Sequence, residues 1–231
     1  MSTEPAHSAI VDADLSGIDR HALPDARTFV RCDLTEADLR DADLVDAVLT
    51  DCRLDGARLD RALLDGARLT GGSAAGASFA HVDGPDARFE KMDLANTRWQ
   101  GALLTDTVFT GCRMTGAGLA PLRGVGYAFA HCNLMLARCK GLDLRGQTLE
   151  GLRLDEADLA GADLRQTVWV ESRLRGANLV GVRLAGADLR GADLGELTLD
   201  QAGYLRGATI GPAQAGAILA ALDITVAEPA G

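Results

Sequence analysis

The sequence predicts an all-β solenoid: a right-handed quadrilateral β-helix of about nine coils, with a short C-terminal helix and strand. Three observations predict it. Large apolar residues recur every five positions, small residues stand two positions before them, and like residues recur at multiples of 20. Taking every fifth residue from Phe29 to Tyr204 as a centre gives 36 centres without a frame shift, and 32 of them are Leu, Phe, Met, Trp or Tyr. Two residues before the centre, 26 of the 36 positions are Ala, Cys, Gly, Ser or Thr; two residues after it, 16 are Gly. A period of five suits neither an α-helix at 3.6 nor a flat strand at 2.0. It suits a short extended step, with one large and one small side chain facing the same way, followed by a turn.

The coil size has its own evidence. Cys32, Cys52, Cys112 and Cys132 occupy the small position, separated by multiples of 20, and so are the aromatic centres Phe29, Phe89, Phe109, Phe129 and Trp169. Four steps therefore close one square coil, and oversized side chains stack on their own kind. At a strand spacing of roughly 4.8 Å, nine coils make a rod of about 43 Å. The composition agrees: 47% of residues are hydrophobic but only 4% aromatic, so the interior is built from many similar layers of Leu, Ala and Val. Such a rod is stabilised by contacts between neighbouring coils and needs a cap at each end.

Along the chain, residues 1–9 read as a disordered tail. Residues 10–28 read as an irregular first coil, because Ala13-Asp14-Leu15 stands out of frame. The β-helix occupies 29–206. Within it Gly71 and Gly72, then Gly84 and Pro85, then Pro121 and Gly124 mark irregular backbone; since the frame survives each, they predict distorted coil rather than long excursions. Residues 207–231 form a dimerisation or capping segment. Gly211-Pro212 is a helix start, Ala215, Ile218, Leu219 and Leu222 form one apolar helix face, and Ile224-Thr225-Val226 reads as a short strand. That segment either caps its own coil or pairs with a second chain.

A formal net charge of −10 disfavours direct binding to DNA or RNA phosphates. Met1 to Ala9 is polar and unlike a signal peptide, and no apolar run is long enough to span a bilayer, which predicts a cytoplasmic protein that does not enter membranes. Five cysteines without a CxxC pair read as a buried thiol column rather than a disulfide framework or a metal site. His81 and His131 lie two and a half coils apart, on opposite sides. Gly124-Val125-Gly126 lacks the βαβ setting of a phosphate loop, and Trp99 and Trp169 stand at centres, as core. No cofactor, metal or catalytic group follows, and the expectation is a binding protein rather than an enzyme.

Acidic residues cluster unevenly. Residues 33–65 carry ten acidic and four basic residues, and residues 142–200 carry eleven and seven. In the latter, Asp143, Asp155, Glu156, Asp158, Asp163, Glu171, Asp188, Asp193 and Glu196 are the candidate acidic surface for a basic partner. The position before each centre carries ten Asp and eleven Arg, which predicts Asp–Arg ladders between coils.

Repeats such as Ala37-Asp38-Leu39, Ala162-Asp163-Leu164 and Ala192-Asp193-Leu194 resemble the pentapeptide-repeat family, A(D/N)LXX, over about three-quarters of the chain. The opening Thr28-Phe29-Val30-Arg31-Cys32-Asp33-Leu34 is similar to that of the Qnr proteins. The ending from Leu205 through Gln214-Ala215 to Ile224-Thr225-Val226 resembles the C-terminal dimerisation helix and strand of Qnr and MfpA. The preference for Leu over Phe at centres is nearer to MfpA. The resemblance implies a two-fold homodimer joined through its C-termini, forming an acidic rod that mimics B-form DNA. It implies binding to the DNA-docking surface of DNA gyrase or topoisomerase IV, and altered sensitivity to quinolones or natural topoisomerase poisons. A generic interaction scaffold for another protein partner is the alternative.

Overall fold

The structure, a computed structural model, describes residues 9–221 and 223–227, so the expected tail (except Ala9) and Leu222 lie outside the described residues. Four parallel pairings recur in each coil, for example Asp33 with Arg53, Asp38 with Arg58, Asp43 with Leu63, and Val48 with Arg68. They define four walls. The first wall contains β1 (Ile10–Val11), β2 (Thr28–Val30), β3 (Val48–Thr50), β4 (Arg68–Thr70), β5 (Arg88–Glu90), β6 (Val108–Thr110) and β7 (Ala128–Ala130) in one parallel sheet; β8 (Thr148–Glu150) and β9 (Val168–Val170) continue it as a separate pair. Centres 34, 54 and their equivalents line the second wall, 39 and 59 the third, 44 and 64 the fourth. A parallel β-solenoid of about nine turns results.

The five-residue step has a local cause on each side of the centre. Before it, Asp or Asn turns its side chain onto the backbone N–H two residues on, as Asp33 does to Thr35 at 3.0 Å, Asp93 to Ala95 at 3.0 Å and Asn133 to Met135 at 3.2 Å. This is an Asx turn, which a short polar side chain supplies. After it, the residue two beyond the centre has positive φ in every repeat from Arg31 to Gly186 except at Pro121, where the Ala120–Pro121 bond is cis. Glycine adopts that conformation without steric cost, and Asp and Asn tolerate it. That requirement, rather than spacing, explains the Gly and Asp enrichment at this position.

Between turns, the centre N–H donates to the coil above and the residue before it donates to the coil below: Leu34 N–H to Arg53 C=O at 2.6 Å, Arg53 N–H to Cys32 C=O at 2.9 Å. Leu44 and Leu64 are buried on adjacent rungs of the fourth wall, with Leu44 N–H bonded to Leu63 C=O at 2.9 Å. The centres and small positions form one continuous core. Part of it is aromatic: Trp99 stacks on Phe79 at 4.2 Å and meets Phe89 and Phe109 edge-on, each at 5.3 Å. Both tryptophans satisfy their indole N–H on a threonine two residues back, Trp99 on Thr97 and Trp169 on Thr167, at 2.9 Å. We expect Trp99→Ala to cost about 3–5 kcal/mol and Trp169→Ala less, since Trp169 joins no aromatic stack; urea unfolding of the two variants measures the difference.

The cysteines stack in the small column as expected. Cys52, Cys112 and Cys132 each direct Sγ at a carbonyl of the coil below, Phe29, Phe89 and Phe109, at 3.4–3.5 Å. Burial pushes the Cys52 thiol up to about 11 and that of Cys139, a centre, up to about 12. These are inert core thiols.

Three expectations need correction. Residues 10–28 are more regular than predicted: Ile10 pairs with Phe29, Asp14 with Asp33 and Asp19 with Asp38, all at an offset of 19. One residue fewer put Ala13-Asp14-Leu15 out of frame, and the irregular part is confined to residues 20–27, which make no such pairing. At the other end the five-residue frame breaks after Leu194, and the ladder resumes at an offset of 21, with Thr209 paired to Asp188. The last two centres, Leu199 and Tyr204, fall in α1 (Leu199–Ala202) and a 3-10 turn (Gly203–Leu205). Leu205, out of the five-residue frame, is buried in the core's end instead. Finally, α2 (Pro212–Ala220) forms as predicted, but Ile224-Thr225-Val226 is not a strand, because no strand edge of the described chain reaches it. Ile224 is 48% exposed and Val226 67%.

Candidate partner-binding surfaces

The walls sort the charges, and they sort them differently from the linear sequence. Of the nine residues expected to form one acidic surface, Asp143 and Asp163 lie on the fourth wall, Asp158 on the third, Asp155 and Asp193 on the second, Asp188 on the first; Glu156 and Glu171 lie on two different corners, and Glu196 beyond the last centre. They do not converge. Six are also neutralised. Asp143 pairs with Arg145, Asp155 with Arg173, Asp158 with Lys140, Asp188 with Arg190 and Asp193 with Arg175. Asp163, almost fully buried, is held by Arg145, Arg165 and Arg183 at 3.3, 2.8 and 2.9 Å.

Part of this neutralisation is written in a short motif. In Asp38-Leu39-Arg40, Asp143-Leu144-Arg145, Asp163-Leu164-Arg165 and Asp188-Leu189-Arg190, the acid and base flank an inward Leu, so both point outward. The guanidinium then grips the carboxylate through two donors, for example Arg190 Nε and one Nη on Asp188 at 2.9 and 2.6 Å. The expected ladders between coils also occur, as Arg58 to Asp38 at 3.6 Å and Arg183 to Asp163 at 2.9 Å. The hydrogen bond from Arg40 lowers the Asp38 carboxyl to about 2, and that from Arg190 does the same for Asp188. A depressed carboxyl stabilises the fold above its unfolded value of about 3.9 and loses that contribution as pH falls through the folded value. Thermal stability is therefore expected to be level down to about pH 4 and to drop between pH 4 and pH 2, with Asp188→Asn reducing the drop; circular dichroism melts across that range measure it.

One wall concentrates unpaired carboxylates. On the fourth wall and its corner with the first, Asp46, Asp65, Asp83, Asp86 and Asp106 are exposed, and none forms an ion pair among the described residues. Asp43 belongs to the same stretch but is paired with Arg27. Asp46, Asp86 and Asp106 occupy one column of positive-φ turn residues. No Lys or Arg stands on this wall between residues 43 and 106. Its outward apolar residue Leu63 is 42% exposed. Farther along the same wall, Arg123, Arg145, Arg165 and Arg183 take over. The wall is thus acidic over its N-terminal half and basic-neutral over its C-terminal half. Sequence reading missed this surface because it counted charges by stretch; sorting by position within the 20-residue coil finds it.

The predicted interruptions stay in frame. Ser73, after Gly71 and Gly72, pairs with both Arg53 and Asp93. At the empty centre Gly84, an added Cβ would touch Leu64 and Leu104, so the neighbouring leucines close over it. Pro121 and Gly124 do more. Tyr127, an oversized residue in the small column, is buried and accepts the Asp143 N–H at 3.0 Å through its hydroxyl. Burial raises its phenol above the ordinary range. β7 and β8 are consequently not paired as strands.

The C-terminal helix docks on the last coil through Gln214, whose amide donates to Leu189 and Ala192 C=O at 2.8 and 2.7 Å, and through Ile218 against the core's end. Ala215, Ile218 and Leu219 are half-buried; Leu222 lies outside the described residues. Among the described residues no cluster of His, Cys, Asp and Glu is arranged to hold a metal, and no helix is long and apolar enough to cross a membrane.

The family description Pentapeptide repeats matches in eight copies, at residues 29–66, 85–119, 132–168, 157–195 and 170–202. No curated protein matches the sequence. Among solved structures, a trypsin-treated form of QnrB1, a plasmid-mediated fluoroquinolone resistance protein, is similar at 18% identity and TM-score 0.53, covering 95% of this chain and 99% of that one. A second trypsin-treated form gives 19% identity and TM-score 0.51, covering 95% and 97%. HetL of the cyanobacterium Nostoc, involved in heterocyst differentiation regulation, gives 26% identity and TM-score 0.38, covering 80% and 86%. The QnrB1 likeness is one of fold.

Proposed function

The chain belongs to the pentapeptide-repeat family, and on that premise we propose that it is a DNA-mimicking binding protein, without catalytic activity, that engages DNA gyrase or topoisomerase IV and alters its response to quinolone-type or natural-product poisons. The observation that carries this reading is the unpaired acidic run on the fourth wall. Rungs roughly 4.8 Å apart hold carboxylates at fixed positions on a rigid rod, which is what a basic DNA-binding groove recognises by charge. The sequence resemblance to Qnr and MfpA supports the same enzymes. A supercoiling assay tests it: dose-dependent inhibition of gyrase, or rescue of a poisoned gyrase, is expected, and no effect at several-fold molar excess contradicts it.

The ion pairing of the C-terminal half favours a second reading, a scaffold for some other protein partner, because the unpaired acids outside the fourth wall, such as Glu36, Asp51, Glu156 and Glu171, are scattered over other corners. The same assay separates the two. The homodimer belongs to the first reading. Exposed Ile224 and Val226 beside the short helix α2 support joining through the C-termini. Light scattering is expected to give about twice the 24.1 kDa chain mass, and Leu219→Asp with Leu222→Asp to return it to one chain; an unchanged mass leaves the helix as a cap alone.

A further inference from the structure

Between the sixth and seventh full coils the fourth wall is open. At every other pair of adjacent rungs along this wall between Asp43 and Ala185, three recurring bonds join them, as Asp83 N–H to Ala62 C=O, Leu64 N–H to Asp83 C=O and Gly66 N–H to Pro85 C=O. The equivalents that would join Leu122, Gly124 and Gly126 to Asp143 and Arg145 are all absent, although the rungs above and below keep theirs: Leu104 N–H to Arg123 C=O at 2.9 Å, Leu144 N–H to Asp163 C=O at 2.9 Å. Two side chains stand in at the margins. Tyr127 Oη receives the Asp143 N–H, and Gln147 Nε2 donates to Tyr127 C=O at 3.0 Å in place of the missing Thr148 N–H. The second and third walls stay paired across the same boundary, at Asn133 with Arg153 and Arg138 with Asp158.

The opening is a groove of about 630 Å³ lined by Val125, Asp143, Arg145, Gln147 and Gln166 among others. That is within the size range of ligand clefts, roughly 300–1,000 Å³. One wall of the groove offers two N–H donors, Gly124 and Gly126, two residues apart as on a strand edge; the opposite wall offers the carbonyls of Asp143 and Arg145. Its charged lining is already neutralised, since Arg145 grips Asp143. Val125, 69% exposed, supplies an apolar contact at the mouth.

We propose that this groove binds an extended peptide segment of a partner protein, which accepts from Gly124 and Gly126 on one edge and donates to Asp143 and Arg145 on the other. In an extended chain each residue turns its N–H and C=O to one edge and the next residue to the other, so residues of one parity accept from Gly124 and Gly126 while those of the other parity donate to Asp143 and Arg145; this is strand addition to an open sheet. The lining selects a neutral segment with an apolar residue to cover Val125. The Tyr127 hydroxyl and Gln147 amide are displaced or retained at the groove's ends. The site adjoins the end of the acidic run, where Asp106 N–H donates to Val125 C=O at 2.9 Å, but it does not depend on the topoisomerase reading.

The test uses the full chain labelled with 15N and, as the probe, an end-capped synthetic peptide copying residues 141–149, the protein's own rung at this position, whose one Asp and one Arg leave it neutral. Without peptide, the Gly124 and Gly126 amides are expected to exchange with solvent at least 100-fold faster than the bonded amides of Gly66 and Gly146. Saturating peptide is expected to slow both at least tenfold and to shift their resonances, while the same peptide with proline at its central positions, which lacks the donors, does neither. Slow exchange of Gly124 and Gly126 in the free protein would overturn the proposal. So would peptide at millimolar concentration that leaves them unprotected, equal protection by the proline peptide, or shifts confined to the C-terminal helix.

Discussion

Leu164→Arg is expected to abolish the cooperative fold. Leu164 is fully buried in the fourth-wall column, on the rung between Leu144 and Leu184, which are also buried. Truncating such a residue to Ala costs about 2–5 kcal/mol; an arginine adds the burial of a charge with no acceptor inside the column. Domains of this size are stable by only about 5–15 kcal/mol. In a solenoid each coil touches only its neighbours, so one failed layer separates the rod into two pieces with raw apolar ends. The variant is expected to be insoluble or to lose its sharp thermal transition, while Val168→Arg, at a 44% exposed position on the next repeat, melts within a few degrees of the parent. Equal melting of the two variants would refute the stacked interior.

Neutralising the acidic run is expected to produce the largest functional change. Asp46, Asp65, Asp83, Asp86 and Asp106 changed together to Asn should weaken binding to gyrase at least 30-fold at low salt, or about 2 kcal/mol by the affinity relation. The effect should shrink as salt is raised, because exposed charges are screened beyond a Debye length of about 10 Å at 0.1 M. Asparagine is chosen because it keeps the positive-φ turns of Asp46, Asp86 and Asp106, so melting temperature should not move. The matching control changes Glu156, Glu171 and Glu196 to Gln: three charges from the sequence-predicted surface that lie on separate corners or beyond the coils. Loss of binding in the control and not in the fourth-wall variant would relocate the interface.

The period of five, its closure at twenty, the buried thiols and tryptophans and the C-terminal helix were legible in the sequence because each is a matter of which residues face inward, and inward faces repeat. The surface was less legible. Whether Asp163 is free or gripped by three arginines depends on residues 20 positions away, and only the square coil brings Arg145 and Arg183 beside it. The positive-φ position was visible as Gly enrichment, but its cause needed the backbone. The first coil shows a different obstacle: one missing residue shifted the frame without disturbing the fold, so a strict five-residue template misjudged residues 10–28. At the far end Leu199 and Tyr204 satisfy the five-residue pattern, but their backbone belongs to α1 and the turn after it, and the ladder resumes one residue out of frame at Thr209. The open seam carried a signal too, in Pro121, Gly124 and the oversized Tyr127 within one turn.

Competition with DNA tests the central claim most directly. A fluorescent duplex bound to gyrase is titrated with this protein, and anisotropy reports whether the duplex is released. Mimicry predicts full release, at lower protein concentrations as salt is lowered, and no release by the fourth-wall Asn variant. A protein that binds gyrase while the duplex stays attached, or that displaces it equally well after the five aspartates are neutralised, would contradict it.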